Sequence, residues 1–112
     1  MRLPNCVHAE VAPEKVRHYL LSSQHRFGRF KARFFQALGY DAENWTRLAA
    51  DLRAIARWGD AQPIESPFGK KFSIVSLIVG PNGRSAMIVS IWIIDAKSSI
   101  PRFVTAYPAE GR

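Results

Sequence analysis

The chain is organised around residues 25–39, which read HRFGRFKARFFQALG. Its apolar residues recur at helical spacing, which predicts a helix from Gly28 onward with a stripe made of Phe27, Phe30, Phe34, Phe35 and Leu38. The cations Arg29, Lys31 and Arg33 fall largely off that stripe. Gly39 is a natural end for the helix, because glycine enters the left-handed conformation at no steric cost. One surface of the helix is therefore predicted to bury aromatic rings while the neighbouring surface presents positive charge.

The chain as a whole is strongly basic. Its 112 residues include 16 lysines and arginines against 9 acids, which gives a formal charge of +7 and a pI near 10.2. No acid lies between Lys15 and Arg33. This balance suits a polyanion, an anionic membrane or an acidic protein partner, although a solvated surface kept for solubility has the same composition. The length indicates one domain, residues 1–112, with a small core.

Motifs for metals, cofactors and membranes are missing from the sequence. Cys6 is the single cysteine, so a disulfide framework or a cysteine-based metal cage is not expected. The histidines do not stand at ligand spacing with a carboxylate cluster, and the glycine motifs that bind phosphates and dinucleotides do not occur. No signal peptide is recognised, and the longest apolar run, residues 91–94, is too short to span a bilayer. We therefore expect a cytoplasmic protein that uses no metal ion, no cofactor and no membrane.

The remaining chain reads as helices followed by strands. Residues 6–11 could pair as an edge strand, and helices are predicted over residues 14–21 and from an N-cap at Asp41 to Gly59. Residues 61–69, which contain two prolines, are predicted to be an irregular connector. Strands are predicted over residues 72–79, 86–94 and 103–107, with a hairpin turn at residues 81–83. This order favours an α+β fold in which N-terminal helices pack on one face of a three- to four-stranded antiparallel sheet.

Imidazole, cations and hydroxyls are the groups left to carry chemistry, and together they suffice for metal-free RNA cleavage. His25 is predicted to lie in a polar loop beside Arg26, where it could take or give a proton near neutral pH. A loop histidine more often does no more than hydrogen-bond a backbone carbonyl. Neighbouring cations such as Lys31 could stabilise phosphate charge.

The last predicted strand offers hydroxyl groups. Strict alternation places Phe103, Thr105 and Tyr107 on one face and Arg102 on the other. Thr105 and Tyr107 are then either core residues or a hydroxyl pair in a cleft beside the helices. Regular pairing cannot bring Arg102 into that cleft; only an irregular start at Pro101 would allow it.

Several short motifs, in their order and spacing, resemble a known family. They are KxxxYLL at residues 15–21, HxxGxxKAxFFxxLG at 25–39, PxGR at 81–84, WI at 92–93 and PRFVTAYP at 101–108. The family consists of small uncharacterised bacterial domains, which occur alone and as C-terminal tips of phage-head-like and other polymorphic toxin proteins. Its architecture resembles the toxin ribonuclease fold shared by barnase-like, colicin-like and RelE-like enzymes. Members usually carry a proline after the histidine, where this chain has Arg26.

The resemblance implies catalytic roles for particular residues. His25 would act as base or acid, Lys31 would stabilise phosphate charge and Thr105 would position the scissile group. Arg102 and Tyr107 are further catalytic candidates.

The basic first half supplies the predicted RNA-binding cations, which are Lys15, Arg26, Arg29 and Arg33. The hypothesis is a metal-independent endoribonuclease that acts as the toxin of a toxin–antitoxin or toxin–immunity pair. Its substrate would be RNA rather than DNA, and a small acidic antitoxin or immunity protein would neutralise it. Two alternatives stay open: a non-catalytic module that binds RNA or an acidic protein through the same charge, and a homo-oligomeric structural protein.

Overall fold

The computed structural model describes residues 1–20 and 29–109, with the backbone alone for residues 18–20, 29 and 30. A π-helical segment, Lys15–Leu20, precedes two α-helices, α1 (Arg29–Ala37) and α2 (Trp45–Trp58). Four strands follow, namely β1 (Ala61–Ile64), β2 (Gly69–Val79), β3 (Ser85–Asp95) and β4 (Arg102–Pro108). They form one antiparallel sheet in the order β1-β2-β3-β4. The predicted α+β fold, with helices first and an antiparallel sheet second, is confirmed.

The core lies between the helices and one face of the sheet. Alternate residues of the central strand β3 point into it, and Trp92 is fully buried there in a T-shaped contact with the Phe103 ring, with centroids 5.3 Å apart. The Trp92 indole nitrogen donates to the Ser90 hydroxyl at 3.0 Å, so the one polar atom of the ring is satisfied inside the core. From the helices, α1 contributes Phe35 and α2 contributes Leu48, together with further apolar residues of the same stripes.

The predicted connector at residues 61–69 is wrong, because its first four residues form β1. Ala61 pairs with Ile74, and Pro63 pairs with Phe72. Proline donates no ladder hydrogen bond, but β1 is an edge strand, where a missing donor is tolerated. Residues 65–68 remain a connection, and β2 begins at Gly69.

The N-terminal segment is not an edge strand either. Residues Cys6–His8 form a 3₁₀ turn, and Glu10 alone makes a parallel bridge to Arg102 at the start of β4. Leu3 is 1% exposed, so the segment is packed into the core. Apolar burial of Leu3 and Val11 stabilises it in place of a sheet ladder.

The predicted N-cap at Asp41 is also corrected. Helix α2 begins at Trp45, with Asn44 as the residue before it. The Asp41 carboxylate instead accepts hydrogen bonds from the backbone N–H groups of Glu43 and Asn44 and so closes a turn ahead of the helix. This competing local bond is the usual behaviour of aspartate near helix starts.

The C-terminal end of α1 is fastened to the β2–β3 hairpin. The Asn82 side chain donates to the Ala37 carbonyl at 3.0 Å, and its backbone N–H approaches the Leu38 carbonyl at 3.3 Å. Gly80 makes this approach possible, because a Cβ atom there would lie 1.9 Å from the Leu38 carbonyl oxygen. The predicted helix end is confirmed, since Gly39 has a φ of +99°. These contacts fix where the opposite end of α1 meets the sheet.

The second face of the sheet is partly exposed. Val75, Leu77 and Met87 are about half exposed there, whereas Ile91 and Ile93 on the same face of β3 are buried. β3 lies between β2 and β4 in the sheet, and its second face is covered only at the Ile91 end. Within residues 1–20 and 29–109, no helix is long and apolar enough to cross a bilayer.

Candidate active site

A β-bulge in β4 decides which side chains share a face. Phe103 pairs with Trp92 and Thr105 pairs with Ile91, so Val104 is left without a partner on β3. The extra residue shifts the alternation by one position. Phe103 and Ala106 therefore both reach the core, three residues apart, where strict alternation would separate them.

The predicted faces of β4 are corrected by this bulge. Thr105 and Tyr107 do not share a face with Phe103; they pair with Ile91 and Val89, on the side of β3 away from the core. Arg102 pairs with Ile93 and so lies on that same side. The structure thus brings Arg102, Thr105 and Tyr107 to one face, through an irregularity at Val104 rather than at Pro101.

Lys31 and Thr105 meet across the junction of α1 and β4. The Lys31 ammonium donates a hydrogen bond to the Thr105 hydroxyl at 2.9 Å, although the two residues are 74 positions apart in the chain. Both residues are partly buried. A hydrogen bond from an ammonium group holds both side chains in one geometry.

The position of Lys31 on α1 explains this contact. Lys31 stands four residues before Phe35 and seven before Leu38, so all three lie on one face of the helix. Phe35 is fully buried and Leu38 is 5% exposed, and Lys31 is the half-buried start of the same stripe. The prediction that Lys31 falls largely off the apolar stripe is therefore wrong, whereas Arg33 is exposed as expected. Lysine commonly packs its stem on apolar surface while its ammonium reaches the rim.

Arg102 forms an ion pair with Asp95, which the sequence analysis did not predict. Its guanidinium donates to both carboxylate oxygens of Asp95, at 2.7 and 3.1 Å. The hydrogen bond from Arg102 holds the pKa of the Asp95 carboxyl below its ordinary value, and the bond to Asp95 raises the pKa of Arg102. Asp95 ends β3 and Arg102 begins β4, so their pairing follows from the antiparallel register. Cross-strand charge complementarity was the available clue.

The other predicted site residues differ in exposure, and some of them lie outside the described residues. Tyr107 is 39% exposed at the end of β4. Lys15 is half-buried at the start of the π-helical segment. His25 and Arg26 lie outside the described residues, and Arg29 is described by its backbone, which begins α1. Of the predicted catalytic set, the structure brings Lys31 and Thr105 into contact and places Arg102 and Tyr107 on the same face as Thr105.

Residues 2–110 match the model of a protein family described as a domain of unknown function, DUF6883. The chain belongs to this family. The resemblance to a family of uncharacterised domains is thereby confirmed. No protein of curated function matches the sequence significantly.

Among solved structures, the DUF6883 chain is similar to a chain of the contact-dependent growth inhibition toxin–immunity protein complex from Klebsiella pneumoniae 342. The two share 18% identity with a TM-score of 0.69, and the match covers 96% of this chain and 98% of that one. At this identity the likeness establishes a common fold over almost the whole length of both chains.

The described clefts lie away from the Lys31–Thr105 pair. One of about 980 Å³ is lined by β1, by the following connection and by the start of β2. A second, of about 490 Å³, lies between α2 and the end of β2. The described part of the candidate site consists of side chains from α1 and β4. Within the described ranges, no group of three or more histidine, cysteine or acidic side chains could hold a metal ion.

Proposed function

We propose that this chain is a metal-independent endoribonuclease that acts as the toxin of a toxin–antitoxin or toxin–immunity pair. The observation that carries the proposal is the 2.9 Å hydrogen bond between the Lys31 ammonium and the Thr105 hydroxyl. It joins two of the three principal catalytic candidates, which come from opposite halves of the chain. Pre-oriented charge of this kind is what a phosphoryl-transfer transition state requires.

The reaction would be transesterification within RNA. The 2′-oxygen forms a bond to the adjacent phosphorus while the bond from phosphorus to the 5′-oxygen breaks, which leaves a 2′,3′-cyclic phosphate and a 5′-hydroxyl. A base removes the 2′-hydroxyl proton and an acid gives a proton to the 5′-oxygen. His25 would serve in one of these roles, which histidine fills well near neutral pH.

Lys31 and Thr105 would act on the phosphate itself. The ammonium of Lys31 would stabilise the negative charge of the phosphorane, and Thr105 would hold that ammonium in place and position a phosphate oxygen. Lys31 lies in the first turn of α1, where the helix dipole also favours an anion. Tyr107 and Arg102, on the same face as Thr105, would extend the site along β4, and Lys15, Arg29 and Arg33 would contact backbone phosphates.

Two further observations support a neutralised toxin. The chain has the fold of a chain from a toxin–immunity protein complex. Its charge of +7 suits both an RNA substrate and an acidic neutralising protein. A toxin that cuts cellular RNA would act in the cytoplasm, which is where we place its function.

The direct test is cleavage by the purified full chain in excess EDTA. Single-stranded RNA, tRNA and ribosome-bound mRNA should be cut to 2′,3′-cyclic phosphate ends, and a substrate with deoxyribose at the scissile position should resist because it lacks the nucleophile. Products with 3′-hydroxyl ends would contradict the mechanism. Failure to cut any of the three RNAs would contradict the enzymatic proposal.

The second candidate is a non-catalytic module that binds RNA or an acidic protein through its basic surface. The observation that favours it is the pairing of Arg102 with Asp95, which commits one proposed catalytic cation to a structural partner. This module would bind RNA with a strong salt dependence and leave it intact. The same cleavage assay, run beside a binding titration, separates the two candidates.

A further inference from the structure

The outer edge of β2 is open along its last five residues. β1 covers β2 only as far as the Ala61–Ile74 pair, whereas β3 follows β2 to Val79. Among the described residues, no backbone group other than those of β3 hydrogen-bonds residues 75–79. The Tyr40 hydroxyl approaches the Val79 carbonyl at 3.3 Å, and that is a side-chain contact at the far end.

This edge lacks the devices that proteins use to block strand addition. Residues 75–79 read VSLIV, with no charge, no proline and no bulge against β3. Val75 and Leu77 are each 55% exposed. Native edge strands are usually short, charged, kinked or covered, because an open apolar edge is a template for another strand. An edge kept open in this way is therefore better explained by a partner than by solvent.

A groove runs beside the open edge. Helix α2 forms its other wall, and the groove has a volume of about 490 Å³. Trp58 lies in that wall and is 64% exposed, while Leu77 lines the strand side. The Ser76 hydroxyl lines the same groove and is buried without a hydrogen-bond partner in the described structure.

The surroundings of the groove select for negative charge. Arg2 and Arg57 stack on the Trp58 ring, with guanidinium carbons 4.9 and 5.2 Å from its centre. At the other end, Arg47 lines the groove with its ion-pair partner Asp51, and the exposed Arg84 follows the hairpin turn. Cations thus flank an apolar middle.

We propose that the edge of residues 75–79 and the adjoining groove bind an extended acidic segment of a partner protein, which adds to the sheet as a strand beside β2. Main-chain hydrogen bonds to β2 supply affinity, and alternate side chains of the segment enter the groove beside Trp58. Five residues span about 17 Å at the usual rise of a strand. The inference concerns the β2 edge, so it stands whether or not the Lys31–Thr105 site cleaves RNA.

The probe is a fluorescent acetylated and amidated peptide, EVTVTVE, titrated into the full chain. Two matched peptides serve as controls: KVTVTVK reverses the charge, and EVTVTVE with N-methyl groups on alternate residues loses the main-chain donors. The acidic peptide should bind, the lysine peptide should bind at least about tenfold more weakly at low salt, and the methylated peptide should fail. Hydrogen exchange of backbone amides in residues 75–79 should slow when the acidic peptide is bound.

A pair of protein variants locates the site. Trp58→Ala should weaken peptide binding by about tenfold or more, since exposed tryptophans that become buried dominate binding energies. Phe68→Ala removes another exposed aromatic ring, 77% exposed and outside the groove, and should leave binding unchanged. Equal losses in the two variants would overturn the assignment.

Other outcomes also overturn the proposal. They are equal binding of the methylated or the lysine peptide, exchange protection outside residues 75–79, and no binding at about 1 mM acidic peptide. Self-association of the free protein through residues 75–79, detected by sedimentation with the same exchange footprint, would assign the edge to a second copy of this chain. Displacement of the bound peptide by RNA would assign the groove to nucleic acid.

Discussion

The contact between Lys31 and Thr105 gives the sharpest test of the site, through Lys31→Met, Thr105→Val and the double variant. Methionine keeps most of the lysine stem and removes the charge, and valine keeps the shape of threonine and removes the hydroxyl. Each change therefore deletes one partner of the 2.9 Å hydrogen bond with little change in packing. If the hydrogen bond is structural, its loss lowers Tm, whereas if it is catalytic, its loss lowers the cleavage rate.

Loss of the Lys31–Thr105 hydrogen bond should lower the free energy of unfolding only slightly. A hydrogen bond to a charged group contributes about 1.5–3 kcal/mol when buried, and partial exposure of both residues reduces this to about 1 kcal/mol. For a domain of this size, that corresponds to a fall in Tm of about 4 °C. Removal of a pre-oriented charge from a transition state costs about 100- to 1,000-fold in rate, or about 2.7–4 kcal/mol. The catalytic effect should therefore exceed the effect on stability by about 1.7–3 kcal/mol.

The assay pairs single-turnover cleavage of RNA in EDTA with thermal unfolding for every variant. Two exposed residues away from the site provide controls of the same chemistry: Lys97→Met in the turn after β3 and Thr46→Val in the first turn of α2. Both should keep the wild-type rate. Because Lys31 and Thr105 would act as one unit, the double variant should be little slower than the slower single variant.

One result would refute the reasoning directly. If Lys31→Met and Thr105→Val stay folded and cleave within about threefold of the wild-type rate, the pair does not act in the transition state. A fall in Tm without a fall in rate would assign the bond to the packing of α1 on β4. A double variant whose rate loss equals the product of the single losses would mean that the two side chains act separately.

Three further predictions follow from the same structure. Tyr40→Phe should lower the free energy of unfolding by about 1–2 kcal/mol, since the buried phenol donates a hydrogen bond to Asp51. Burial and that bond raise the pKa of Tyr40 above its ordinary value of 10.0, so the stability that the phenol contributes is present below about pH 10 and is lost as the pH rises further. The difference in Tm between wild type and variant should therefore narrow in alkaline buffer. Deletion of Val104, the bulge residue, should leave a folded protein that cleaves as slowly as Thr105→Val, because bulges re-aim neighbouring side chains; wild-type cleavage would contradict this. Arg33→Ala should weaken RNA binding about equally across sequences and lower the salt slope by about 0.7 in a filter-binding titration, whereas an unchanged slope would contradict phosphate contact.

Local patterns in the sequence were enough to predict most of the fold. The stripe that ends in Phe35 and Leu38 predicted α1, and Gly39 predicted its end, because periodicity and a left-handed glycine are local properties. β1 was missed because Pro63 reads as a strand breaker. A proline is tolerated where its strand lies at the edge of the sheet. β1 lies at the edge because it pairs with β2 alone, and that pairing is tertiary structure, which the local sequence does not show.

The residue types proposed for the candidate site were read from the sequence, but the faces of β4 on which they lie were not predicted correctly. Thr105 and Tyr107 were assigned to the face of Phe103 because strict alternation is the only rule that a single strand supplies. The bulge at Val104 breaks that rule, and it is defined by the partner strand: Phe103 and Thr105 pair with the consecutive residues Trp92 and Ile91. No property of Val104 itself distinguishes it from a regular strand residue, so the shared face of Arg102 and Thr105 could not be read from the sequence of β4.

Lys31 shows that a signal can be present in the sequence and still be misread. Its spacing of four and seven residues to Phe35 and Leu38 places it on the buried side of α1, yet its charge suggested an exposed residue. A lysine at such a position must bring its ammonium out at the rim of the core, because burial of an unpaired charge is costly. The anchoring of α1 through Asn82 and Gly80 sets that rim against β4, where Thr105 receives the ammonium. In this fold the Lys31 ammonium is held at the Thr105 hydroxyl, and a phosphate bound beside Thr105 would find that charge already oriented.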